Sequence, residues 1–231
     1  MALRVLRFIA GVLLIPVCVA VTMTIAGLLR SVQPESAGTI PPAVWALGGG
    51  FLAWLLIYFV LPRPVRTYIL AHELTHALWG ALMGAKVFGM KISREKGSVT
   101  LSKTNFLVTL APYFFPLYTV VIILGYYLLA IFFEVERYHM WWLALVGLTW
   151  GFHLTFTVST LAQHQSDIKE CGYLFSYAII YLFNAIGIAF WIVLVSAATV
   201  EQMVELLSTD TCAVATRIWD FLARISVKNR Q

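Results

Sequence analysis

Apolar residues fill most of this chain in long uncharged runs, and the polar residues collect in the short gaps between them. The first run, Phe8 to Leu29, follows Arg4 and Arg7 and is longer than the core of a signal peptide, so a retained helix is favoured over a cleaved leader. A loop with Arg30, Pro34 and Glu35 separates it from a second run, about Pro42 to Leu61, which Pro62-Arg63-Pro64 ends. A third helix is expected from near Pro64, a residue suited to a first helical turn, to near Gly84, suited to a C-terminal cap. From Thr104 to Phe133 no charge occurs, but Pro112 and Pro116 interrupt the run. Its first part is therefore read as broken or re-entrant backbone and only the part after Pro116 as a regular span. A fifth helix is expected over about Met140 to His164 and a sixth over about Cys171 to Ala198. A bilayer crossing needs about 20 apolar residues, so the pattern predicts an all-α polytopic membrane protein of about six spans.

Two segments break this pattern. Between Lys86 and Lys103, Met90 and Ile92 alternate with polar residues before Arg94-Glu95-Lys96-Gly97, and Val99 and Leu101 alternate after it, which predicts a small β-hairpin over a plain basic loop. After Val200, apolar Val214, Ile218, Phe221, Leu222 and Ile225 recur at helical spacing opposite Arg217, Asp220, Arg224 and Lys228. This predicts an amphipathic helix on the membrane surface. The chain is read as one membrane domain, 1–231, with two N-terminal spans (1–63), a core (64–171), a last span (172–200) and an interfacial tail (201–231).

Composition supports the membrane reading: the 231 residues are 61% hydrophobic and 12% charged, where a soluble domain has roughly 25% charged residues. The net charge of +5 lies mostly between or beyond the apolar runs, which suits anionic lipid headgroups, and no nucleic-acid motif is present. Cys18, Cys171 and Cys212 form no Cys-x-x-Cys pair, so neither a disulfide framework nor a thiolate metal site is indicated. The expected location is a bacterial-type cell membrane.

Against this background His72-Glu73-Leu74-Thr75-His76 stands out, because ionisable groups inside a membrane span are costly and functional by default. Histidines four residues apart share a helix face, so both can reach one Zn2+, while Glu73 is placed to act as general base on a zinc-bound water. A catalytic zinc needs a third protein ligand. Asp167 is the first candidate, being one of three Asp in the chain, with Asp210 and Asp220 in the tail. It falls at the end of the fifth helix, which crosses in the same direction as the third. His164, three residues earlier, competes with it. His153 is fourteen positions before Asp167, about 21 Å along a helix, and cannot share its ion, so it is read as a buried hydrogen-bonding residue. Cys171 is read as a packing residue and Asn184 as an interhelical hydrogen-bond former.

Ala71-His72-Glu73-Leu74-Thr75-His76-Ala77, followed by Gly84 and a polar strand-like segment, resembles the site-2 protease family of intramembrane zinc metalloproteases. The resemblance covers roughly Pro64 to Cys171. It implies that His72, His76 and the helix-borne Asp167 bind zinc, that Glu73 is catalytic, and that the chain is a minimal or divergent family member. The implied activity is zinc metalloendopeptidase action on peptide bonds in or next to membrane-spanning segments of a membrane-protein or peptide substrate. A non-proteolytic membrane zinc hydrolase and a catalytically silent zinc-binding scaffold or transporter are the alternatives.

Overall fold

The structure is a computed structural model that describes residues 2–30, 32, 40–93 and 96–228. It is helical apart from one two-stranded hairpin. In chain order the elements are α1 (Ala2–Arg30), α2 (Pro42–Val60), α3 (Val65–Leu82), β1 (Val87–Ile92), β2 (Gly97–Leu101), α4 (Phe106–Phe114), α5 (Leu117–Ala130), α6 (His139–Leu161), α7 (Ser166–Cys171), α8 (Tyr173–Val195) and α9 (Val200–Lys228). A single 3-10 turn, Glu136–Tyr138, precedes α6. Among the described residues, α1, α2, α6 with its preceding turn, and α8 are long and apolar enough to cross a membrane. With the bent pair α4–α5 counted as one span, five segments qualify. Their outward faces carry large apolar side chains, such as Leu52 (63% exposed), Phe59 (75%) and Trp141 (74%), as a lipid-facing surface requires.

The chain divides into two compact units, Met1–Ile40 with Gly172–Gln231, and Pro41–Cys171. In the first unit α1 packs against α8 and α9. Gly11 lets α1 approach the Phe175 backbone, where an added Cβ would lie 2.9 Å from the nitrogen. Thr22 and Tyr181 share a hydrogen bond of 2.6 Å, and buried Thr24 donates to Asp210 of α9 at 3.0 Å. Leu28, Ala189, Ile192, Ala198 and Met203 close the apolar core beside them. Asn184, expected to bond across helices, donates to the Ile180 carbonyl of its own helix at 2.8 Å.

The second unit holds the motif. Its frame is the α2–α6 pair, brought together by small residues: a Cβ on Gly50 would run into the Ala144 carbonyl, and one on Gly147 into that of Leu47. In lipid, such close approach replaces the hydrophobic drive that joins helices in water. Trp54, Tyr58, Phe152 and Phe156 form the aromatic core of this frame, and the Trp54 indole donates to Thr155 at 2.8 Å. Tyr68 of α3 stacks on Phe156, with centroids 4.8 Å apart and planes 8° apart, which fixes the motif helix to the frame.

Helix α3 ends as expected: Gly84 has φ +71°, and the Ala85 nitrogen reaches back to the Gly80 carbonyl at 2.8 Å. The hairpin follows, β1 and β2 pairing antiparallel from Ile92↔Gly97 to Val87↔Leu101, with an irregularity between Val87 and Gly89. Its tip at Arg94 and Glu95, like the loop residues Pro34 and Glu35, lies outside the described residues. Asn105 caps α4 by accepting from the Val108 nitrogen at 3.0 Å. The expected interruption is present: Pro112 lies inside α4, Pro116 precedes α5, and the two helices are bent by 75°.

Candidate metal centre

His72 and His76 project from one face of α3, one turn apart, and Asp167 of α7 meets them. The His72 and His76 Nε2 atoms are 3.2 Å apart, and each is 3.5 Å from Asp167 Oδ2. Ligands bound to one tetrahedral ion at about 2.0–2.1 Å stand about 3.3–3.4 Å from one another. The three edges of this triangle therefore match a zinc site with three protein ligands. Two imidazoles and a carboxylate also suit zinc chemically. Among the described residues this is the group of His, Cys, Asp and Glu that can hold a metal ion.

The surroundings orient the ligands. His76 Nδ1 is 2.8 Å from the Val108 carbonyl, which can only accept, so Nδ1 carries the proton and donates, and Nε2 of the neutral ring is left with a free lone pair. His72 Nδ1 lies 3.2 Å from the Tyr68 hydroxyl. Tyr113, buried completely in α4, donates its hydroxyl to Asp167 Oδ2 at 3.0 Å, and its ring stands edge-on to His72 with centroids 5.3 Å apart. Burial alone would raise the Asp167 pKa, but the imidazoles of His72 and His76 outweigh it and hold the carboxyl well below the usual carboxylate range. Asp167 is thus an anion where a cation is wanted.

Glu73 is 7% exposed and lies within electrostatic reach of both histidines and Asp167. The hairpin covers it. A Cβ added to Gly97, the first residue of β2, would sit 2.5 Å from Glu73 Cγ and 2.6 Å from Oε1. Farther along β2, Leu101 lies against Gly80, where an added Cβ would meet its Cδ1 at 2.8 Å. The strand therefore runs along the helix face that carries Glu73. Beside His72 a cavity of about 20 Å³ opens toward Thr75, Thr149 and His153, which is space for about one water.

The structure brings His72, Glu73, His76 and Asp167 together and leaves the competitor outside: His164 is exposed and does not join the group. One expectation needs correction. Asp167 is not at the end of the fifth helix, because α6 stops at Leu161 and Asp167 lies in the separate six-residue helix α7. The last turn of α6 tightens, the Gln163 nitrogen bonding to the Thr160 carbonyl at 2.9 Å while its side chain occupies that of Ser159 at 3.2 Å. The chain then turns and presents Asp167 to the imidazoles. His153 is buried, as expected, and Cys171 is a buried packing residue at 1% exposure.

Tyr68, Tyr113, Gly97 and the Val108 carbonyl were not among the expected site residues. Tyr68 had a signal, since it precedes His72 by four positions and shares its face. Tyr113 and Val108 had none, because their roles depend on how α4 docks against α3 and α7. Comparison of the chain with family models, with curated proteins and with solved structures gave no match.

Proposed function

We propose that this chain is an intramembrane zinc metalloendopeptidase of the site-2 protease type, cleaving peptide bonds in or next to membrane-spanning segments. The observation that carries the reading is the ligand triangle of His72, His76 and Asp167, with edges of 3.2 to 3.5 Å, beside a buried Glu73 in a chain of apolar helices. Such a triad next to an acid has little structural value in lipid, where each buried ionisable group costs free energy. Bound there, zinc would supply Lewis-acid polarisation of a carbonyl and lower the pKa of a water to about 7.

The rest of the chemistry belongs to the protein. Glu73 takes a proton from the attacking water as its oxygen bonds to the scissile carbonyl carbon, and returns that proton to the leaving nitrogen as the C–N bond breaks. Val108 and Tyr68 hold the imidazoles so that Nε2 of each faces the site. A helical substrate must unwind before its carbonyl is accessible, and an edge of the β1–β2 hairpin receives the extended stretch by strand addition. In this reading α3 crosses the bilayer as well, which brings the spans to six. The later turns of α9, with Trp219, Phe221 and Leu222 exposed, rest on the membrane surface.

The decisive test is cleavage of a panel of single-span membrane proteins by the purified chain, with and without a chelator. Chelator-sensitive cleavage within or beside the span is expected. Release of an acyl chain or another non-peptide product would favour a membrane zinc hydrolase of a different class, and zinc retention with no turnover would favour a scaffold.

A further inference from the structure

Asp167 reaches the two histidines from a short helix, and a carboxylate has two oxygens that a half-turn about one bond exchanges. Something must decide which oxygen faces the imidazoles. Helix α7 is anchored through Ile168 (2% exposed) and Cys171 (1%), which fix its backbone but not the Asp167 torsions. Ser166 Oγ lies 3.4 Å from Oδ1, beyond the ordinary O–H···O range of about 2.5–3.0 Å. Tyr113 is within that range, donating to Oδ2 at 3.0 Å, and Oδ2 is the oxygen that stands 3.5 Å from both imidazole nitrogens.

We propose that Tyr113 is a positioning residue for the metal centre: its hydroxyl selects Oδ2 of Asp167 as the ligating oxygen and holds it toward His72 and His76. The inference rests on the zinc reading above and adds the residue that completes it. Its physical basis is the two lone-pair lobes of a carboxylate oxygen. One accepts from the tyrosine and the other is left facing the imidazoles, so Oδ2 is the oxygen that Asp167 would offer to an ion held there. The tyrosine can set this geometry because it is itself fixed. It is fully buried, it stands edge-on to His72, and the Thr157 hydroxyl approaches its carbonyl at 3.4 Å. Through one ring it touches two of the three ligands.

The test compares zinc affinity of the purified full chain with that of Tyr113→Phe and Tyr118→Phe, by competition with a chromophoric chelator, and records the visible spectrum of each with Co2+ in place of zinc. Tyr118 donates to the Thr67 carbonyl at 2.9 Å and makes no bond to Asp167, so its variant controls for the loss of a tyrosine hydroxyl in the same unit. Loss of an outer partner of a metal ligand typically weakens binding 10–100-fold. Tyr113→Phe is expected to weaken zinc by roughly 10–100-fold and to shift the Co2+ bands, with Tyr118→Phe matching the wild type. Equal affinity and spectrum in Tyr113→Phe overturn the inference and leave the zinc reading intact, whereas a wild type that binds no zinc removes that reading and this one with it. If Tyr113→Phe does not fold, Tyr113→Trp keeps a ring and an N–H donor that cannot itself bind metal. Folding with measurable zinc binding then supports the inference, and failure of both variants to fold assigns Tyr113 to packing and overturns it.

Discussion

Gly97→Ala is the sharpest probe of how the hairpin and Glu73, the proposed general base, depend on one another. The added methyl would lie 2.5 Å from Glu73 Cγ, 2.6 Å from Glu73 Oε1 and 2.7 Å from Ile69 Cγ2. Non-bonded carbon contacts are comfortable at about 3.5–4.0 Å, so the methyl and its neighbours must separate by about 1 Å. Either the hairpin lifts or Glu73 turns aside. Overpacking of this kind costs about 1–3 kcal/mol, and a misplacement of about 1 Å at reacting groups can lower the rate by roughly 100-fold. The three atoms nearest the methyl belong to Glu73 and Ile69, and none of them is a ligand atom. Gly97→Ala should therefore keep wild-type zinc content and lose roughly 100-fold in cleavage rate of a single-span reporter in detergent micelles. Cleavage at the wild-type rate would refute the contact between strand and base, and parallel loss of zinc and activity would show instead that the whole centre had shifted.

Other substitutions separate the roles within the site. Glu73→Gln preserves shape but cannot accept a proton, so it should retain about one zinc per chain while turnover falls by roughly 100-fold or more, as metal analysis alongside the reporter assay would show. Asp167→Ala should lose zinc and activity and His164→Ala keep both, because Asp167 faces the imidazoles and His164 is exposed; equal losses would break the ligand assignment. The pH dependence follows from which ligands compete with protons. Asp167 is depressed, so it stays ionised at every pH above its lowered pKa and its contribution is lost only when acid reaches that point. Zinc affinity should therefore fall as the solution is acidified, because protons compete with the metal for ligand nitrogens while Asp167 is still ionised. Affinity that is independent of pH down to the acid-unfolding point would contradict ligation through imidazole nitrogens.

Local chemistry made much of this site legible in advance. A spacing of four puts His72 and His76 on one face in any α-helix, Gly84 adopts the positive φ that its place after α3 demands, and Pro112 and Pro116 break the fourth apolar run where the structure bends by 75°. Alternation across Met90, Ile92, Val99 and Leu101 likewise marks the strands. What stayed hidden is non-local. Ala162 to Gln165 contain neither Gly nor Pro, so nothing in the sequence marks the end of α6 before Asp167. The pairing of α1 with α8 and α9, and of α2 with α6, was equally unmarked, since apolar runs of similar composition do not name their partners. Helix α3 sits between these cases. Its 18 residues include Arg66, Glu73 and two histidines, and the polarity that makes it conspicuous also keeps it out of the set of helices apolar enough to cross a membrane.

The hydrogen-bond pattern adds an argument that spacing alone does not contain. Because the Val108 carbonyl fixes one proton of His76 on Nδ1, the ring, whenever it carries no second proton, turns a bare lone pair toward His72 Nε2 at 3.2 Å and toward a carboxylate oxygen at 3.5 Å. Lone pairs and an anion at that separation repel unless positive charge lies between them, and a surrounding of low polarity strengthens the repulsion. Two kinds of positive charge satisfy the arrangement, a proton on one imidazole or a metal ion shared by all three groups. A proton serves one pair at a time. A tetrahedral ion would serve the three edges together, and their near equality, 3.2, 3.5 and 3.5 Å, is the observation that supports the proposed metal ion over a protonated pair with a bystander.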